Sequence, residues 1–179
     1  MTHIAQNYGD ALYDLARDEG VSEEIQNEVK GVLELFSENP DYLRLLRAAN
    51  LPQGERVQIL DEAFSGRVHP YLLNFLKLLV ERGHVGELRY CFRRFRSRYC
   101  ADHGILEAMA VTAVPLREEL LAKLARQLSE RTGKKVELRN RVEPSVLGGV
   151  RLEYEGQALD GTLRQRLAGI EKTLSETVL

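Results

Sequence analysis

The stretch HPYLLNFLKLLVER, His69–Arg82, decides how the whole chain is read. Pro70 suits the first position of a helix, where its missing N–H costs nothing, and Gly83 suits the residue just past a helix end. At about 100° per residue, Leu72, Phe75, Leu76 and Leu79 fall in one stripe. Leu73 and Val80 flank it on one side, Tyr71 and Leu78 on the other. Asn74, Lys77 and Glu81 make the polar edge. The apolar arc is roughly 220° wide, too wide for one neighbour to cover. The stretch is also too short to cross a bilayer, which takes about 20 apolar residues. Such a helix belongs inside a bundle, with other helices on two or three sides. It is either an ordinary central core helix or one whose flank is left for a helix from another chain.

The residues before it supply the neighbours. Ile4–Glu19 follows the helical period through Ile4, Tyr8, Ala11, Leu12 and Leu15, with Thr2 as N-cap and Gly20 as stop. Ala5, Gly9, Ala11 and Ala16 keep that helix thin, so another helix can approach it closely. Ser22 is expected to cap the next helix, with Glu23 and Glu24 at its positive end and Ile25, Val29, Val32, Leu33 and Phe36 inward. Asn39-Pro40 restarts a short helix through Tyr42, Leu43, Leu45 and Leu46, and Val57, Leu60 and Phe64 mark a fourth that Gly66 closes. After Gly86 a sixth helix carries Leu88, Cys91, Phe92, Phe95 and Tyr99 on its apolar side.

Past Gly104 the period changes. Ile105–Val114 is rich in small and β-favouring residues and stops at Pro115, as a strand does. Leu116–Thr132 returns to helix with Leu120, Leu121, Leu124 and Leu128 inward and Gly133 as its cap. Lys135–Val142 and Gly148–Glu155 alternate with period two, and Gly156-Gln157 turns into a short strand at Ala158-Leu159. Asp160 can cap a final helix with the stripe Leu163, Leu167, Ile170 and Leu174. The predicted class is α+β: an N-terminal six-helix bundle over residues 1–104, then a small C-terminal domain over 105–179 with a short sheet and two helices.

Charge and chemistry exclude more than they assign. The 179 residues carry a formal net charge of -2, which argues against a general nucleic-acid binder. The charge is uneven. Residues 1–62 hold 5 basic and 13 acidic side chains, and residues 63–104 hold 8 and 3, so the two stretches attract each other. His3, His69, His84 and His103 show no metal-ligand spacing, and neither cysteine reads as part of a catalytic cysteine–histidine pair. Cys91 and Cys100 stand on opposite faces of one helix, cannot pair within it, and fit a reducing cytoplasm. Gly148-Gly149 lacks the phosphate-loop patterns and precedes a strand. No secretory signal, membrane-spanning run, catalytic set or cofactor motif is expected. The basic run Arg89, Arg93, Arg94, Arg96 and Arg98, with Phe92 and Phe95 close by, offers one alternative: an RNA-binding helical adaptor.

The ordered set of motifs resembles the delta subunit family of the bacterial F-type ATP synthase, related to the mitochondrial oligomycin-sensitivity-conferring protein. Tyr8-Gly9-Asp10-Ala11-Leu12-Tyr13-Asp14-Leu15-Ala16 is similar to the family's opening YAxALxxLA, with Gly9 in place of the usual alanine. Asn74-Phe75-Leu76-Lys77-Leu78-Leu79 with Arg82-Gly83 resembles its NFLxxL…G segment, with His84 where arginine is common. Val111, Ala113, Pro115 and Leu116 match the strand that opens the second part. Gly133-Lys134-Lys135-Val136, Pro144-Ser145-Val146-Leu147-Gly148-Gly149-Val150 and Asp160-Gly161-Thr162-Leu163-Arg164 with Arg166-Leu167 carry the rest. Glu143 stands for the usual aspartate and Thr162 for serine.

The resemblance implies a non-catalytic peripheral-stalk, or stator, subunit. It would link the catalytic head of α and β subunits to the membrane-anchored b subunits, so that proton flow is coupled to ATP synthesis. It implies no cofactor, no nucleic acid and no direct membrane insertion, one copy in the complex, and a peripheral place on the cytoplasmic face of the inner (plasma) membrane. The expected partners are N-terminal helices of α subunits, one in a groove between the first and fifth helices, and the C-terminal region of b. For the groove, Tyr8, Leu12, Leu15, Leu76, Leu79 and Val80 are expected to line it. For b, the expected contacts are Leu147, Gly148, Gly149, Leu167 and Ile170 on the last turn and final helix.

Overall fold

The computed structural model describes residues 2–48, 50–146 and 148–161. Among the described residues the chain forms seven α-helices and a four-stranded mixed sheet, an α+β protein. It divides into two compact units, residues 1–99 and 100–179.

The first unit is helical: α1 (His3–Asp18), α2 (Ser22–Glu38), α3 (Pro40–Arg47), α4 (Gln53–Phe64), α5 (Pro70–Glu81) and α6 (Leu88–Asp102), with a 3-10 turn at Val85–Glu87 before α6. Thr2 caps α1 by accepting from the Ala5 N–H at 3.2 Å. Ser22 does not cap α2. The Val21 N–H already donates to the Ala16 carbonyl at 2.8 Å, so the turn out of α1 closes directly and the helix starts at Ser22 without a side-chain cap. Pro70 opens α5, and His69 caps it through Nδ1, which accepts the Tyr71 N–H at 3.2 Å. Gly83 follows α5 at φ +71°, a conformation that disfavours any side chain. One core joins all six helices through Tyr13, Ile25, Leu46, Leu60, Leu72, Leu76, Phe92 and Phe95. Leu72 and Leu76 of α5 are among its most deeply buried side chains, as the wide apolar arc predicts.

The second unit carries β1 (Ile105–Thr112), α7 (Glu118–Thr132), β2 (Lys135–Val142), β3 (Val150–Tyr154) and β4 (Gln157–Asp160). The sheet order is β2-β1-β3-β4, with β1 and β2 parallel and the other neighbours antiparallel. The register puts Leu106 beside Val136 and Ala108 between Leu138 and Tyr154, so these side chains share a face, and Leu128 of α7 packs on it. β1 ends at Thr112, two residues before the expected Val114, because the Thr112 hydroxyl donates to the Val114 carbonyl at 2.7 Å and turns the chain. Asn140 locks the same corner: its amide donates to the Ala110 carbonyl and the Thr112 hydroxyl, and its Oδ1 accepts the Leu116 N–H.

Candidate docking groove on the helical unit

Two helices border the candidate groove. α1 meets α5 through Tyr8, whose ring packs edge-on against Phe75 at 6.4 Å and against His84 at 5.8 Å. The Thr2 hydroxyl donates to the Glu87 carboxylate at 2.6 Å. The start of α1 therefore lies against the end of α5 and the turn beyond it.

The six expected lining residues separate into two sets. Leu12, Leu76, Leu79 and Val80 are only 3, 2, 1 and 1 % exposed, so in the free chain they are core. Tyr8 is half-buried and Leu15 is 41 % exposed. The separation has a simple cause. Val80 and Leu73 lie on the flank of α5 that turns into the core, beside the Lys77–Asp61 ion pair that ties α5 to α4. The flank left at the surface is the opposite one, with Leu78 37 % exposed and Tyr71 half-buried. On α1 the surface carries Ile4, Tyr8, Ala11 and Leu15, spaced i, i+4, i+7 and i+11, which is one stripe of a helix. Ile4 and Leu78, absent from the expected lining, belong to the open apolar surface. The periodicity contained both, but the direction from which neighbours cover each helix is a tertiary fact.

The opposite flank of α1 is closed by α6. Asp10 accepts from Arg94 Nε at 2.8 Å and Arg98 Nη1 at 2.9 Å, and Asp14 accepts from Arg98 Nη2 at 2.9 Å. Burial alone would raise the Asp10 carboxyl, but hydrogen bonds and charge from Arg94 and Arg98 outweigh it and hold its pKa below the ordinary value. Two of the five arginines of the basic run thus turn to α1. Arg89 and Arg93 are exposed, with Arg93 over the Tyr90 ring at 5.8 Å. Cys91 and Cys100 are both buried, and burial together with the Glu87 charge pushes the Cys91 thiol up to about 11.

In the second unit, Gly148 and Gly149 sit at φ +153° and +84° in the turn before β3, where a side chain at Gly149 would strain the backbone. Leu147, Leu167 and Ile170, together with the predicted final helix, lie outside the described residues. Leu120 is 43 % exposed, not inward. Leu128 turns α7 toward Leu106, Ala108, Val136 and Leu138 of the sheet, and this leaves Leu120 on another flank. Leu152 and Leu159 pair across β3 and β4, and Leu159 is exposed. The β3–β4 part of the sheet thus presents apolar side chains that sequence reasoning placed in strands but not in a binding surface.

The geometry offers apolar surfaces for proteins. Among the described residues no group of side chains is arranged to hold a metal ion, and no helix is long and apolar enough to cross a membrane. Comparison with known proteins finds relatives along most of the chain. The model of the ATP synthase delta (OSCP) subunit family matches residues 4–174. The ATP synthase subunit delta of Gloeobacter violaceus is 37% identical over 166 residues, 92% of this chain and 90% of that one. Its counterpart in Lactobacillus gasseri is 33% identical over 174 residues, 97% and 95% of the two chains. A chain of the Toxoplasma gondii mitochondrial ATP synthase hexamer shares the fold, with a TM-score of 0.73 over 97% of this chain and 98% of that one at 18% identity. No relative supports the RNA-binding alternative. From its first helix to its last matched residue, this chain belongs to the ATP synthase delta (OSCP) subunit family.

Proposed function

We propose that the chain is the non-catalytic peripheral-stalk subunit of an F-type ATP synthase. It holds the catalytic head of α and β subunits to the membrane-anchored b subunits. Held static against the rotor, the head can then couple proton flow to ATP synthesis. Family membership supports the role, and the stripe Ile4, Tyr8, Ala11 and Leu15, exposed apart from the half-buried Tyr8 that packs on Phe75 of α5, carries it. A stripe at helical spacing next to an apolar flank is what a helix-in-groove site needs. The occupant is an amphipathic N-terminal helix of an α subunit, which buries its apolar face at about 25 cal/mol per Å². Tyr8 and Leu15 line the groove with Ile4 and Leu78, while Leu12, Leu76, Leu79 and Val80 support its floor from the core.

The helices of the first unit act as the family's six-helix bundle. The b subunit meets the second unit at Leu147, Gly148 and Gly149 and at the stretch holding Leu167 and Ile170. Leu120, Leu152 and Leu159 offer it further apolar area. One copy sits in each complex, peripheral to the membrane on its cytoplasmic face.

The test is calorimetry with the full chain and a synthetic peptide copying the N-terminal helix of the α subunit. Saturable binding is expected, lost in Leu15→Gln and Leu78→Gln with the fold intact by circular dichroism. A wild-type chain that ignores the peptide overturns the groove.

A further inference from the structure

Resting on that groove, we propose that Asp10, Asp14, Arg94 and Arg98 are positioning residues of the docking site. From the α6 side they fix the roll of α1 about its own axis, and so set where Ile4, Tyr8, Ala11 and Leu15 stand relative to α5.

The contact between α1 and α6 is unusually close and unusually directional. Gly9 is buried, and a Cβ there would lie 2.5 Å from the Cys91 carbonyl oxygen and 2.6 Å from the Arg94 Cβ. One residue on, Asp10 takes hydrogen bonds from two guanidinium groups. One turn further, Arg98 reaches Asp14 with its other nitrogen, so a single fork spans two carboxylates at i and i+4. The Arg98 guanidinium also lies 5.1 Å over the ring of Tyr13, itself buried edge-on against Phe95 at 5.5 Å. Such a fork has fixed geometry, so the pairs resist rotation as well as separation.

On the groove side, among the described residues, one directional bond holds the start of α1, from the Thr2 hydroxyl to the Glu87 carboxylate. Beyond that first turn α1 meets α5 through the Tyr8 ring, an apolar contact that tolerates sliding. On a helical wheel the middle of the Ile4–Leu15 stripe stands about 110° round from the middle of the Asp10–Asp14 pair. A roll of 10° moves side chains lying about 6 Å off the axis by about 1 Å. That displacement is enough to spoil the fit of a docked helix. The four charged residues touch no part of that helix and act on it only through α1.

The test uses the full chain and the same α-subunit peptide. Asp10→Asn, Arg98→Gln and the double variant are compared with wild type at a temperature where circular dichroism shows all of them folded. Each single variant should weaken the peptide about three- to tenfold. The double should weaken it no more than the worse single one, because both break one clamp. Asp10→Glu, which keeps the charge, should recover part of the loss. If Asp10→Asn does not fold, Arg94→Lys replaces it, since it keeps the charge and loses the Nε bond. Variants with lower unfolding midpoints but wild-type affinity would overturn the inference while leaving the groove standing. A wild-type chain that does not bind the peptide overturns both.

Discussion

Leu15 and Leu76 sit on the two helices that border the proposed groove, and changing them should leave opposite signatures. Leu76 is core, so Leu76→Ala should cost about 2–5 kcal/mol of stability through lost transfer energy and a cavity. Leu15 is at the surface, so Leu15→Gln should stay within about 0.5 kcal/mol in urea unfolding yet abolish peptide binding. Both leucines fall in an apolar arc of their helix, and the wheel therefore treats them alike. It reports which residues avoid water in sequence, not which side the neighbours arrive from. That is why Val80 was expected in the groove and Leu78 was not. Asp10 gives a second prediction at this scale. Its folded pKa lies below the ordinary value of 3.8, so its contribution to stability is full above that value. The contribution fades as the pH falls from there through the lower, folded pKa. Acid unfolding of Asp10→Asn should lack that segment of the pH curve, and a wild-type curve superimposable on the variant's would refute it.

At the scale of elements, α1 is thin for a reason visible in its partner. Gly9→Ala, which restores the residue usual in the family's opening motif, should destabilise this chain by about 1–3 kcal/mol, because the new methyl meets backbone at Cys91. The small-residue pattern of α1 was readable from sequence, but the close neighbour was not. The thin face turns to α6, whereas the wide arc of α5 had suggested the groove side. In the second unit, Asn140 joins β2 to the corner between β1 and α7. Asn140→Ala strips the Leu116 N–H of its acceptor and should cost about 1–3 kcal/mol in chemical unfolding. No periodicity reveals such a residue, since Asn140 sits in a strand that reads simply as alternating. The ends of the elements were least legible for the same reason. The Thr112 hydroxyl stops β1 and the Val21 N–H starts α2, and each depends on one hydrogen bond.

For the whole molecule, the change of period near Gly104 and the division into units at residues 99 and 100 fall close together. Limited proteolysis should cut within about ten residues of Gly104 and release a stable helical fragment, because few contacts cross a boundary between compact units. A chain that resists cleavage there, or falls apart without that fragment, would refute independent units. The class of the molecule was legible because both periods are strong over long stretches. The proposed partners come only from resemblance, because an apolar surface states what chemistry covers it and not whose. The stripe of Ile4, Tyr8, Ala11 and Leu15 beside Leu78 has a consequence for the life of the polypeptide in the cell. A subunit made in excess over its assembly keeps that strip in water, where it resembles the exposed apolar segments that chaperones and proteases recognise. Unassembled copies should therefore be short-lived, and their abundance would follow that of the subunit whose helix is proposed to cover the strip.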